Sequence, residues 1–193
     1  MKRTALLIDG GHLRVLAKQA GHDFNPDFIE RFSRECSDES EELLRVLYYD
    51  CAPFNGTVKL PVSGERRTIR NSDQWLKDLA ARDLFAVRLG VLKFRGFSLR
   101  GTAAPGTLTD DDFKANYEQK GVDMRIGLDI ATFASARSVD RIVLVSGDTD
   151  CVPAMKHARI AGLQIVLITV PGQRTAAELT WHADIQRAVK WPA

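Results

Sequence analysis

The sequence predicts an α/β fold, a three-layer α/β/α sandwich with a mainly parallel sheet, with residues 1–193 forming a single domain. Three observations predict it. Apolar runs rich in β-branched residues recur at 4–8 (TALLI), 142–145 (IVLV) and 164–170 (QIVLITV). Such runs suit strands covered on both faces. Segments with helical periodicity alternate with them, which is how parallel strands are connected. Acidic residues directly follow several of the runs, at the edge where open α/β sheets build their sites.

Residues 4–8 form the first strand. Asp9 ends it, Gly10-Gly11 lets the backbone turn tightly, and His12 precedes a helix over 13–19. Asp9-Gly10-Gly11 is not GxGxxG, and an acid where a pyrophosphate would lie argues against dinucleotide binding. Asn25-Pro26 starts a second helix over 27–35, and the polar stretch 37–42 is a solvated connection. Residues 43–49 (LLRVLYY) form the second strand, ended by Asp50, which is kept as a supporting residue behind the site. Pro53, Asn55 and Gly56 mark a loop. Residues 57–70 read as a connection carrying Arg66, Arg67 and Arg70. A helix follows over 73–82, with Trp75, Leu76, Leu79 and Ala80 on one face, then a third strand over 84–91.

Lys93-Phe94-Arg95-Gly96-Phe97, with Arg100 behind it, interleaves cations with aromatic rings. A single-strand binding surface needs that pairing, cations for phosphates and flat faces for bases. A short edge strand with its cations in solvent gives the same pattern, so both readings stand. The stretch 99–108, with Pro105, reads as a loop. Asp110-Asp111-Asp112 is a helix-start acid cluster or a loop, because three adjacent acids point in different directions and do not make one metal site. Ile126, Ile130, Phe133 and Ala134 give a helical spacing over 123–136. Asp123 falls in its first turn, where the helix dipole favours an acid. Asp129 lies on another face and is placed to pair with Arg125.

The stretch 141–153 (RIVLVSGDTDCVP) concentrates the chemistry. Ser146-Gly147 ends the strand over 142–145, and Asp148 and Asp150 flank Thr149. Pro153 opens a helix over 154–161, with Asp150 or Thr149 as its N-cap. A lone Asp at such a turn is commonly only a cap. Two carboxylates this close repel unless something positive lies between them, and a divalent cation is the simplest candidate. Asp9 and Asp148 end two strands at one sheet edge, and Asp123 opens a helix that reaches it from outside. That constellation suits metal-assisted phosphodiester hydrolysis. Residues 164–170 form the closing strand, 175–179 a short helix, and 185–189 a terminal element of either type.

Bulk properties narrow the classes. A hydrophobic fraction of 45% with 27% charged residues excludes a disordered chain. The net charge of +2 gives no bulk attraction for nucleic acid, so any basic surface comes from local clustering. Cys36, Cys51 and Cys151 have no CxxC spacing and read as reduced, buried thiols of a cytoplasmic protein. The first apolar run is too short for a signal peptide, and no run is long enough for a membrane span.

Asp9 in LLIDGG, Lys120-Gly121-Val122-Asp123 ahead of a helix, and Ser146-Gly147-Asp148-Thr149-Asp150 after a strand occur in this order. Together they resemble the NYN domain family in its LabA/DUF88-like branch, a relative of PIN-domain nucleases. The likeness is strongest over 120–168, clear over 4–13 and weak over 23–118. The resemblance implies a PIN-like Rossmannoid fold, an acidic pocket binding Mg²⁺ or Mn²⁺, and ribonuclease activity. Carried over by residue, the metal-site acids are Asp9, Asp123 and Asp148, with Asp150 alongside as a fourth catalytic acid. Two positions depart from the family pattern. His12 stands where the family commonly has Asn, and Cys151 where it commonly has Phe.

The leading expectation is a metal-dependent ribonuclease acting on single-stranded RNA, with no Ser-His-Asp arrangement to supply a protein nucleophile. Lys120, His12, Thr149 and Arg95 are its candidate substrate contacts, and Arg66, Arg67, Arg70, Lys93 and Arg100 its candidate strand guides. The rival expectation is a non-catalytic module on the same fold, binding RNA or a protein and supported by His12 and the modest charge. A phosphatase is disfavoured, because an Asp nucleophile is typically followed by a second acid two residues on, where Gly11 stands. Homo-oligomerisation is compatible with the chain.

Overall fold

The computed structural model describes residues 1–101 and 108–192, so most of the loop expected over 99–108, Pro105 included, lies outside the described residues. The chain begins β1 (Lys2–Asp9), α1 (Gly10–Gln19), α2 (Pro26–Glu35) and β2 (Glu41–Ala52). A small hairpin, β3 (Gly56–Lys59) and β4 (Arg66–Ile69), leads to α3 (Gln74–Ala80), β5 (Phe85–Leu99) and β6 (Phe113–Lys120). Then come α4 (Val122–Ala136), β7 (Arg141–Val145), α5 (Val152–Ile160), β8 (Gln164–Thr169), α6 (Ala177–Trp181) and β9 (Ile185–Ala188). Among the described residues, no helix is long and apolar enough to cross a membrane.

The sheet order is β6-β5-β2-β1-β7-β8-β9, and every pairing is parallel except β5 with β6. Alternate residues of β1 serve opposite faces. Ala5 and Leu7 join Ile126, Ile130 and Met155 of α4 and α5. Leu6 and Ile8 join Leu13, Phe28, Phe32 and Leu79 of α1, α2 and α3. The three-layer α/β/α sandwich expected from the apolar runs is therefore present. From β1 the chain first builds outward to β2 and β5, then crosses to β7 on the other side. A switch of this kind opens a crevice at the carboxyl ends of the two central strands.

Several elements depart from expectation. The connection over 57–70 contains the β3–β4 hairpin. The third strand runs on to Leu99, far past residue 91, and returns as β6 to form an antiparallel arm beyond the sheet edge. The run Lys93-Phe94-Arg95-Gly96-Phe97 lies inside this arm, with an irregularity between Phe94 and Phe97 where Gly96 takes φ 91°. Its rings are occupied with one another: Phe94 lies 5.1 Å from Phe97, 5.9 Å from Phe54 and 6.0 Å from Tyr117. Asp110–Asp112 form one 3-10 turn, and Asp110 Oδ1 accepts from the N–H of Val62 at 2.9 Å, tying the small hairpin to the arm. Residues 185–188 resolve as a seventh strand of the sheet.

Asp129 does not pair with Arg125. It receives Arg88 Nε at 3.0 Å and Nη2 at 2.8 Å, with Tyr49 Oη donating at 2.9 Å. Arg125 instead donates to the Gly121 carbonyl at 2.8 Å, because Gly121 turns left-handed (φ 78°) and presents that oxygen at the start of α4.

At the opposite sheet edge, Glu41 ties three strands together. Its Oε1 accepts from Arg141 Nη1 at 2.6 Å and Arg187 Nη2 at 2.7 Å, and its Oε2 from the Asp38 N–H at 3.0 Å. Burial pushes this carboxyl upward, but the bonds from Arg187, Arg141 and Asp38 outweigh burial and hold it below the usual range. A depressed folded pKa means its stabilisation is present above the unfolded value, near 4.5, and is lost as pH falls through the folded one. Glu41→Gln should therefore lower the unfolding free energy by about 3 kcal/mol at neutral pH. The loss should shrink toward pH 3, as urea titrations across that range will read.

Candidate active site

The crevice between β1 and β7 is where the predicted acids gather. Asp9 is the last residue of β1 and only 9% exposed. Its Oδ1 accepts the His12 N–H at 3.1 Å and so caps α1. The turn between them demands Gly10: a Cβ there would lie 2.3 Å from Tyr48 Oη and 2.7 Å from the Tyr49 carbonyl oxygen. Across the crevice, Asp148 follows β7. Its N–H donates to Ser146 Oγ at 3.1 Å, and its Oδ1 accepts the Asp150 N–H at 2.9 Å. Asp148 thus caps a 3-10 turn over Thr149–Cys151, and α5 starts directly from that turn at Cys151 with no side-chain cap, so neither Asp150 nor Thr149 caps it. Asp123 sits in the first turn of α4, which β6 delivers to the same edge by pairing Lys120 with Val91.

These carboxylates feel one another. Burial, with the charges of Asp123 and Asp148, pushes Asp9 up to about 6 against the bonds from the His12 and Gly11 N–H groups. Asp123 is also raised, first by burial and then by Asp148 and Asp150. Four acids held in one field favour either a shared proton or a cation. The donor set is all hard carboxylate oxygen, which fits Mg²⁺ or Mn²⁺ rather than a softer metal. Among the described residues, no three His, Cys, Asp or Glu side chains are drawn together as around one ion. The fold gathers the acids without closing their oxygens into a ligand shell.

His12 is accommodated by two groups that local sequence reasoning missed. Gly147 leaves room for it, since a Cβ at that position would lie 2.5 Å from His12 Cε1. Gln173, in the turn after β8, places its Nε2 3.2 Å from His12 Nε2. The Val170 N–H donates to Gln173 Oε1 at 3.1 Å, so the amide nitrogen is the end that faces the imidazole. That nitrogen donates, His12 Nε2 accepts, and the ring proton sits on Nδ1. Burial lowers the His12 pKa against the pull of Asp148, in keeping with a neutral ring. A third missed residue is Gln119. A Cβ on Gly11 would lie 3.1 Å from Gln119 Oε1 and 3.4 Å from Asp9 Oδ1, so the Gln119 amide borders the acids.

The remaining candidates are more scattered. Lys120 and Arg95 both pair with Glu118 on β6, Lys120 near the crevice and Arg95 out on the arm. Thr149 opens the 3-10 turn beside Asp148. Arg66, Arg67, Arg70 and Lys93 are exposed on the small hairpin and the arm, while Arg100 Nε donates to the Phe113 carbonyl at 3.2 Å. Asp50 is buried at the end of β2 and receives Arg14 and Tyr48 Oη. Cys36, Cys51 and Cys151 are free and buried, as expected.

The raised Asp9 pKa has a direction in stability. Its folded value of about 6 exceeds the reference 3.8, so ionising Asp9 opposes folding, fully above about pH 6 and not at all below 3.8. In metal-free protein, Asp9→Asn, which keeps a capping oxygen, should raise the unfolding free energy at pH 8 by about 1–3 kcal/mol. That gain should vanish near pH 3.5. Chemical unfolding of both proteins at the two pH values reads the difference.

The NYN domain profile matches residues 3–187. No curated protein sequence matches the chain. Among solved structures, the chain is similar to a protein of unknown function, VPA0982, from Vibrio parahaemolyticus RIMD 2210633. That likeness has a TM-score of 0.58 at 20% identity and covers 97% of this chain and 92% of the other, which speaks to the fold alone. With the profile spanning nearly the whole length, the chain belongs to the NYN domain family, a PIN-like nuclease family.

Proposed function

We propose that this protein is a metal-dependent ribonuclease that hydrolyses phosphodiester bonds of single-stranded RNA at the acidic crevice. The observation that carries the reading is the electrostatic coupling of Asp9, Asp123 and Asp148 at the switch point of the sheet, in a chain of a nuclease family. Asp9, Asp123 and Asp148 would hold Mg²⁺ or Mn²⁺. When bound, such an ion lowers the pKa of water and offsets charge that builds on the phosphate. Asp150, exposed beside Asp148, completes the negative pocket. Neutral His12 keeps its Nδ1–H as a donor for substrate oxygen, and the Thr149 hydroxyl offers another. Lys120 and Arg95 would exchange Glu118 for backbone phosphates. The unpaired buried thiols suit a reducing compartment such as the cytoplasm.

A second reading, a non-catalytic RNA- or protein-binding module, draws on the unclosed carboxylate shell and on His12. Cleavage of an end-labelled single-stranded RNA with Mn²⁺ or Mg²⁺ separates the two. Wild-type protein should cut, EDTA should abolish cutting, and Asp148→Asn should slow it about a hundredfold or more. Equal inertness of wild type and variant across several RNAs would favour the binding module. Equal cutting by both would remove Asp148 from the chemistry.

A further inference from the structure

Beside the acids lies a cavity of about 340 Å³, walled by Arg14, Lys18, Phe24, Asp50, Trp75 and Gln119. It is built around a buried charge pair. Asp50, 2% exposed, accepts from Tyr48 Oη at 3.0 Å, from the Cys51 N–H at 2.8 Å, and from Arg14 Nη2. The Arg14 guanidinium also lies over two rings, 5.4 Å from the Phe24 centroid and 5.8 Å from that of Trp75. Trp75 is held edge-on to Tyr48 at 6.0 Å. Carboxylate and rings thus fix a cation whose side chain remains 30% exposed on the cavity wall.

The pair with Asp50 engages Nη2, and a guanidinium carries five N–H donors, so donors remain for an occupant. Lys18 adds a second cation. Two cations against one buried carboxylate leave the cavity net positive, while the adjoining crevice is strongly negative. Trp75, Pro53 and Leu92 give it a flat apolar wall. Gln119 lines the cavity and also borders Asp9, so the two spaces share a wall.

We propose that this cavity is a nucleotide subsite, which takes one nucleotide of single-stranded RNA next to the phosphodiester at the acids. Arg14 and Lys18 hold its phosphate, Trp75 carries its base, and Gln119 meets the strand where it passes toward Asp9. Asp50 is a positioning residue for Arg14. The choice of RNA as ligand rests on the ribonuclease reading above.

Binding of a short fluorescein-labelled oligouridylate, followed by anisotropy in EDTA, tests the subsite with no cleavage taking place. Lys18→Glu should weaken binding about tenfold and flatten its salt dependence. Trp75→Leu should weaken it to a similar extent. Lys156→Glu makes the same charge change on α5, which covers the opposite face of the sheet from α1, and should do little. Lys18 is exposed, so its variant keeps the fold even if the Trp75 variant loses stability. Equal effects of Lys18→Glu and Lys156→Glu, no effect of Lys18→Glu, or no binding by wild type would each overturn the subsite. If the Lys18 effect holds while wild type cuts no RNA with any metal, the subsite stands and the ribonuclease reading fails. If wild type cuts RNA and Lys18→Glu binds normally, the reverse follows.

Discussion

Like charges must be kept together at the end of a sheet, and the architecture around that edge follows from this constraint. Burial, together with neighbouring charges that include Asp148, raises the proton affinity of Asp9 and Asp123, so gathering these acids costs folding energy. That cost is met by backbone that would form anyway. β1 and β7 are adjacent and parallel, so their carboxyl ends are brought side by side by sheet pairing. Asp9 and Asp148 each give one oxygen to a capping bond, which repays part of the desolvation of the carboxylate. Asp123 arrives on α4 through a left-handed glycine, so a third chain segment enters without crowding the other two.

The surroundings of the acids divide the edge by charge. One flank holds neutral His12, seated on Gly147 and oriented by Gln173. The other flank is positive, with Arg14 fixed between Phe24 and Trp75 and tied to buried Asp50. A polyanion approaching such an edge meets attraction beside repulsion, which sets its register instead of merely its affinity. The bulk charge of +2 hides this arrangement, because the positive and negative groups are separated in space and cancel in the sum.

The central fold was legible because strands covered on both faces are nearly continuous apolar runs, as in 142–145 and 164–170. The arm was not. β5 beyond residue 91 and β6 pair only with each other past the sheet edge, so their sequences carry polar and glycine residues without a single buried face. The acids were legible because each stands at the junction of a recognisable strand or helix. Their neighbours were not, because the contacts are made by the fold. Gln173 meets His12 from 161 residues away, and nothing near Gln173 marks it. Asp129 went to Arg88 rather than Arg125 because strand-to-helix packing outranked spacing along one helix.

The central claim is that the gathered carboxylates form a hard divalent-cation site. Calorimetric titration of Mn²⁺ into wild type and Asp123→Asn, at pH 6 and pH 8, tests it most directly. The account predicts saturable binding to wild type, tighter at pH 8 because Asp9 must give up its proton, and loss of most of that binding in the variant. Absence of binding to wild type at both pH values, or equal binding by the variant, would contradict it.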